Sequence, residues 1–321
     1  MNLYYSKRTR TNNIYTLKLW VFLILPLCVF FHTEATVHPI QFSLSESKII
    51  DPLPKDRDFA FIIPGAPETY IYTKEVDYIN DYQRSYYAIT CKKAGWDCLR
   101  HYEILSSGCI PYFIDLEKCN PNIMPFLPRD LILEAMHLPG VSYREIDHSK
   151  FDSKRYYEIL NQLLDHTRKH LSSAAMARYL LEKVHYSGSG KVLFLAGNTA
   201  PDYLQVCTLI GLKEHLGDRV IDFPKIDYIY KSYKGNINEL YGKGFSYTAV
   251  IPDIPVDRSS IRKRIRNHEF DLIIYGSVHR GLPFHTLVKH SYQENEIVHL
   301  CGEDAHCCEY MDLPQLFLRE W

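Results

Sequence analysis

Short apolar runs separated by longer amphipathic stretches recur along most of this chain. The run Phe59-Ala60-Phe61-Ile62-Ile63, closed by Pro64-Gly65, predicts a buried strand. After a polar, Tyr-rich segment, the pattern predicts a strand over 85–91, a helix over 96–107 and the strand Ile110-Pro111-Tyr112-Phe113-Ile114. Strand, helix and strand in roughly 30 residues suit a βαβ unit with a right-handed crossover. Between 153 and 185, Tyr156, Ile159, Leu163, Leu164, Leu171, Met176, Leu180 and Leu181 recur at helical spacing. They predict one or two helices, and Tyr186-Ser187-Gly188-Ser189-Gly190 reads as a hinge behind them. Past the hinge the alternation resumes, with strands over 191–196, 220–223, 270–275, 296–301 and near 316–318, and helices over 201–216, 258–267 and 283–292. A Tyr- and Gly-rich insertion over 225–256 predicts a loop above the carboxyl ends of the strands.

This β-then-α order predicts an α/β fold of two Rossmann-like lobes with parallel sheets, the first over 58–187 and the second over 188–321. A loop-like linker over 36–57 precedes them. A length of 321 residues agrees, because one hydrophobic core usually stops growing near 250–300 residues.

At 46% hydrophobic and 23% charged, the composition is that of a globular protein. The formal net charge of −1 offers no general attraction to a polyanion, so no nucleic-acid partner is expected. The cluster Arg262, Lys263, Arg264 and Arg266 reads as the solvated face of a helix.

The first 35 residues change the picture more. Lys7, Arg8, Arg10 and Lys18 precede an apolar run from Leu19 to Phe31, with small residues at Thr33 and Ala35. The run is shorter than the ~20 residues that span a bilayer, which fits a cleaved signal peptide. A short signal anchor over 17–33 fits as well, with Trp20 at the interface. Either leader sends the body into the secretory pathway, secreted or held in a Golgi or ER membrane facing the lumen. The body cysteines permit disulfides without establishing them, and no Asn-x-Ser/Thr acceptor is present.

The most specific segment runs from Lys92 to Pro111. At 100° per residue Cys98, Tyr102, Leu105 and Cys109 share one helical face, while Arg100, Glu103 and Ser107 share the opposite, polar one. Gly95 lets a loop deliver phosphates to the helix's positive end. Such a site suits a nucleotide diphosphate; an ordinary i,i+3 surface ion pair would leave the same trace.

The pattern Arg-x-x-Glu followed by Gly-Cys-Ile-Pro resembles the donor-site motif of exostosin-like glycosyltransferases of the GT-B type, over residues 84–128. The resemblance implies a diphosphate contact for Arg100 and a ribose contact for Glu103. It further implies donor-binding roles for Ser85, Lys92, Lys93 and Asp115. More loosely, the second half resembles the Rossmann-like lobe of spore-protein-like glycosyltransferases, which ends on a short apolar strand before an Arg-Glu pair, here Arg319-Glu320. The order departs from the family's, since the donor lobe comes first.

In the second half, Gly197 and Asn198 follow a strand and open a helix, where free amides suit a phosphate or sugar hydroxyl, or the glycine serves turn geometry alone. His279 and Arg280 follow another strand, where open α/β sheets bind ligands, and His279 is the leading general-base candidate. Glu303, Asp304 and His306, within Gly302-Glu303-Asp304-Ala305-His306-Cys307-Cys308, suit catalysis, an acceptor contact, a divalent metal or a capped turn; the spacing matches no standard zinc pattern.

The reading expected from these features is a glycosyltransferase that moves a sugar from a nucleotide-diphosphate sugar to a glycan or other hydroxyl acceptor, with no obligatory metal or other cofactor. A non-catalytic sugar-nucleotide or glycan-binding protein is the alternative. A metal-dependent hydrolase built on Glu303, Asp304 and His306 ranks third.

Overall fold

The computed structural model describes residues 36–305 and 308–320. The leader over 1–35, with its signal-peptide or anchor alternatives, lies outside the described residues, as does His306. In chain order the elements are β1 (Val37–Pro39), β2 (Arg57–Phe59), α1 (Glu75–Arg84), β3 (Ser85–Thr90), α2 (Leu99–Ser106), β4 (Ile110–Phe113) and α3 (Arg129–Met136). The hairpin β5 (Val141–Ser142) and β6 (Glu145–Ile146) precedes α4 (Ser153–His166) and α5 (Ser173–Lys183). There follow β7 (Val192–Leu195), α6 (Tyr203–Leu216), β8 (Val220–Phe223), α7 (Ile261–Arg266), β9 (Leu272–Tyr275), α8 (His285–Ser291), β10 (Ile297–Cys301) and β11 (Leu316–Leu318). Among the described residues no helix is long and apolar enough to cross a membrane.

Two parallel sheets result, so the chain has the mixed α/β architecture that the alternation predicts. The smaller has the order β2-β3-β4 and the larger β1-β11-β10-β9-β7-β8. The strands Val192-Leu193-Phe194-Leu195 and Leu272-Ile273-Ile274-Tyr275 are buried at every position. That is the mark of parallel strands covered on both faces, and it explains why they read as continuous apolar runs. β8 breaks the rule with buried Asp222, whose charge is met by Lys213 Nζ at 3.0 Å and Arg258 Nη2 at 2.6 Å.

α4, α5 and α6 start where short polar side chains cap them. Asp152 accepts from Arg155 N, Ser172 from Ala175 N and Asp202 from Gln205 N, each satisfying an amide of the first turn. A π-helical turn, Thr167–Leu171, joins α4 to α5. α6 is apolar nearly all round because it lies between the sheet and α5. At their crossing Gly211 leaves no room for a side chain, since a methyl there would overlap the Ser173 carbonyl.

The segment 36–57 corrects the expectation of a loop-like linker. Its start is the edge strand β1, paired in parallel with β11 in the register Val37↔Leu316 and Pro39↔Leu318. Ile40, Phe42 and Leu44 then enter the main core. Pro39 is tolerated because an edge strand has no partner on its outer side. The first expected strand is also shorter than its apolar run. Pairing ends near Phe59, and the Asp81 carboxylate takes the Phe61 amide at 2.8 Å and turns the chain away.

Candidate functional site

In the larger sheet β7 has β8 on one side and β9 on the other. The chain leaves β7 through α6 to reach β8, then crosses back to β9, so the loops after β7 and β9 diverge over a switch point. Open α/β sheets bind ligands in that crevice. Gly197, just past β7, lies so close to the second loop that a methyl would overlap the Arg280 carbonyl.

Five side chains meet above the crevice. Asp202, the α6 cap, accepts from Ser277 Oγ at 2.8 Å. His279 Nε2 stands 3.2 Å from Asp202 Oδ2 and 2.9 Å from Glu303 Oε1, the latter from the loop after β10. Burial works against the charge on Asp202. Hydrogen bonds from His279, the Gln205 amide and Ser277 outweigh it and hold the carboxyl below its usual range. Arg280 Nε lies 3.7 Å from the same carboxylate. The result is an imidazole braced between two carboxylates.

The opposite wall belongs to the smaller sheet, whose strands also point their carboxyl ends at the cleft. Cys98 begins α2 without a side-chain cap, leaving first-turn amides without that partner. Arg100 Nη2 reaches the Tyr70 hydroxyl at 3.4 Å, but its Nε and Nη1 atoms are buried without any hydrogen-bond partner. Lys93 Nζ lies 5.7 Å from the centre of the Tyr70 ring. Between the walls is a cavity of about 700 Å³, inside the roughly 300–1,000 Å³ typical of small-molecule sites.

Its floor is an ion cluster joining the two halves. Buried Arg319 donates to the Asp97 carbonyl at 2.5 Å and the Gly302 carbonyl at 3.0 Å, and it pairs with Asp304 and Glu320. Asp97 accepts from Phe42 N and Tyr102 Oη at 2.7 Å each. Burial, offset in part by Arg319, pushes the Asp97 carboxyl up to about 6.

Of the residues singled out from sequence, Lys93, Arg100, Glu103, His279, Arg280, Glu303 and Asp304 line this one cavity. Others do not. Ser85 is buried at the amino end of β3 and donates to the Asp81 carbonyl, so it is not a donor-binding residue. The Lys92 amide and the Asp115 carboxylate meet at 3.3–3.4 Å, tying the ends of β3 and β4 together outside the cavity lining. Gly197 serves close packing, and Asn198 accepts from the Ala200 amide to shape its own turn.

Glu103 needs a further correction, because its face of α2 is buried rather than open. Its carboxylate accepts from Tyr78 Oη and Ser246 Oγ at 2.6 Å each, and burial raises its pKa despite those bonds. Asp304 is likewise engaged, by Arg319.

Sequence reasoning passed over Asp202 and Ser277, although an aspartate before an apolar helical pattern is a cap signal. It also passed over Tyr70 and Tyr241, which lay in stretches read only as polar or Tyr-rich, and Tyr203, which lay in the helix expected over 201–216. The arrangement can hold an anion at Arg100 and Lys93 while a braced imidazole faces the same space. Comparison with protein-family models, curated proteins and solved structures finds no match for the chain.

Proposed function

We propose that the chain is a glycosyltransferase that takes a sugar from a nucleotide-diphosphate donor to a hydroxyl acceptor, in the manner of the exostosin-like, GT-B-type enzymes. The single observation that carries this reading is Arg100, which lines a cavity with His279 on its other wall and whose Nε and Nη1 atoms are buried without a hydrogen-bond partner. A buried guanidinium left unsatisfied is costly, and an anionic group of a ligand would satisfy it.

In this reading Arg100 and Lys93 neutralise the leaving diphosphate as the bond between sugar carbon and phosphate oxygen breaks. His279, held by Asp202 and Glu303, takes the proton of the acceptor hydroxyl as the new carbon–oxygen bond forms. Glu103 chiefly braces Tyr78 and Ser246, so any ribose hydroxyl must share an oxygen with one of them. The donor lobe then precedes the acceptor lobe in the chain. A secretory location is part of the proposal, resting on the leader, and the disulfide-bonded state of Cys301 suits an oxidising lumen.

The test is a panel of nucleotide sugars offered to wild type, Arg100→Ala and His279→Ala, with binding followed by calorimetry and turnover by nucleotide release. Arg100→Ala should weaken donor binding about tenfold or more, and His279→Ala should cut turnover about 100-fold while donor binding stays. Undiminished turnover in both variants removes the assignment. Binding by wild type without release points instead to a non-catalytic sugar-nucleotide-binding protein.

A further inference from the structure

Tyr241 is 68% exposed, yet it lies on the cavity rim rather than on open surface. Its loop is shaped to keep it there. Gly242, Lys243 and Gly244 all adopt left-handed backbone conformations, with φ of 61°, 58° and 68°. Only glycine takes that region freely, so Lys243 holds it against a steric cost. A methyl on Gly242 would overlap the Tyr203 hydroxyl. Tyr247 Oη donates to the Tyr241 carbonyl at 2.6 Å, and Lys243 Nζ reaches the Tyr72 carbonyl across the cleft.

Behind Tyr241 stands Tyr203, with ring centres 5.3 Å apart, and Tyr203 is itself packed against Phe42 and Tyr247. The backing ring therefore cannot swing away. Tyr203 directly follows Asp202, the residue that holds His279. This end of the cavity carries the carboxylates of Asp202 and Glu303, which accept from hydroxyls and repel phosphate. The two cations at this end are already engaged, Arg280 beside the Asp202 carboxylate and Lys243 on the Tyr72 carbonyl, whereas Arg100 and Lys93, beside Tyr70, are the ones left to hold a diphosphate.

We propose that Tyr241, backed by Tyr203, is the platform on which the acceptor stacks, and that the acceptor is accordingly a carbohydrate presenting the apolar face of a pyranose ring. Lipid and peptide hydroxyl acceptors lack such a face. The assignment rests on the sugar-transfer reading and narrows its acceptor class. A fixed aromatic ring offers an apolar flat surface at little entropic cost, while the adjacent carboxylates take the hydroxyls at the ring edge.

The experiment is acceptor and donor kinetics, with calorimetric titration of uncharged oligosaccharides in the absence of donor, on wild type, Tyr241→Ala and Tyr241→Phe. Tyr241→Ala should raise the acceptor KM about tenfold and weaken oligosaccharide binding equally, leaving the donor KM within twofold. Tyr241→Phe should behave as wild type, because the ring and not the hydroxyl makes the contact. Unchanged melting temperatures establish that the exposed ring is not needed for folding. An effect of Tyr241→Ala on the donor KM alone assigns the ring to the donor and overturns the proposal. Equal oligosaccharide binding by wild type and Tyr241→Ala does so too, as does failure of wild type to bind any of them. Absence of sugar transfer with every donor, alongside Tyr241-dependent oligosaccharide binding, defeats the transferase reading and leaves the platform standing.

Discussion

Ser246 Oγ donates to Glu103 Oε1 across 2.6 Å, a bond that ties the insertion of the larger-sheet half to the central helix of the smaller-sheet half. The neighbouring Ser246 amide donates to Glu75 at 2.9 Å, so one residue joins α1, α2 and the insertion. Replacing Ser246 with Ala deprives a buried carboxylate of one of its two donors. The expected loss is about 1–3 kcal/mol, by the usual cost of an unmet hydrogen bond to a charged group. Chemical denaturation would measure it, and limited proteolysis should cut faster within 230–256.

Asp97 sets a pH dependence. Its carboxyl moves from an ordinary 3.8 up to about 6 in the folded protein, chiefly through burial. An acid whose folded pKa is raised binds its proton more tightly when folded. Its contribution to stability is therefore full below about pH 4 and lost as pH rises through about 6. Asp97→Asn should remove this component. The wild-type stability advantage over the variant should shrink between pH 4 and pH 6.5 in parallel denaturation curves, and a constant difference would contradict the assignment.

Asp202 orients His279 and also caps α6. Asp202→Asn keeps a capping oxygen but gives up the charge that steadies the imidazole, so turnover should fall about 10²-fold or more with donor affinity little changed. Because the folded pKa of Asp202 is depressed, its stabilising contribution is present above the ordinary carboxylate range and lost as pH falls through the folded value. The wild-type stability advantage over this variant should therefore fall on acidification, opposite in direction to the Asp97 case. The two slopes can be read from the same pH series.

Arg319 is fully buried among Asp97, Glu320 and Asp304. Removing the cation strands those carboxylates, so Arg319→Ala should cost about 3–5 kcal/mol. Arg319→Lys should recover only part of this, because one ammonium cannot replace a fork that serves two carbonyls and two carboxylates. Melting temperatures of the three proteins would rank them.

Much of this architecture is legible in the chain, for a physical reason. Parallel strands buried on both faces, such as 192–195 and 272–275, leave unbroken apolar runs, and α4 and α5 carry caps and a 3.6-residue apolar stripe. β1 left no such trace, because three edge residues including Pro39 and a polar His38 resemble a loop until β11 is set beside them. Glu103 was misread because a helical wheel divides α2 into two faces, whereas the fold covers it on nearly every side. His279, Arg280 and Glu303 were found because strand ends in an α/β sheet are predictable ligand positions. Asp202, one strand away at an equivalent place, went unnoticed because the helix was read from 201, which absorbed the aspartate into the element it caps.

The pairing of β1 with β11 sets a condition on biosynthesis. A strand made near the start of the body has no neighbour until Leu316–Leu318 emerges, some 280 residues later. The β2-β3-β4 strands are all made long before that, whereas the larger sheet gains β1 and β11 together, once Leu316–Leu318 has been made. A chain released short of β11 would therefore leave β10 as an open sheet edge and β1 without a neighbour, a form that cellular quality control is equipped to detect.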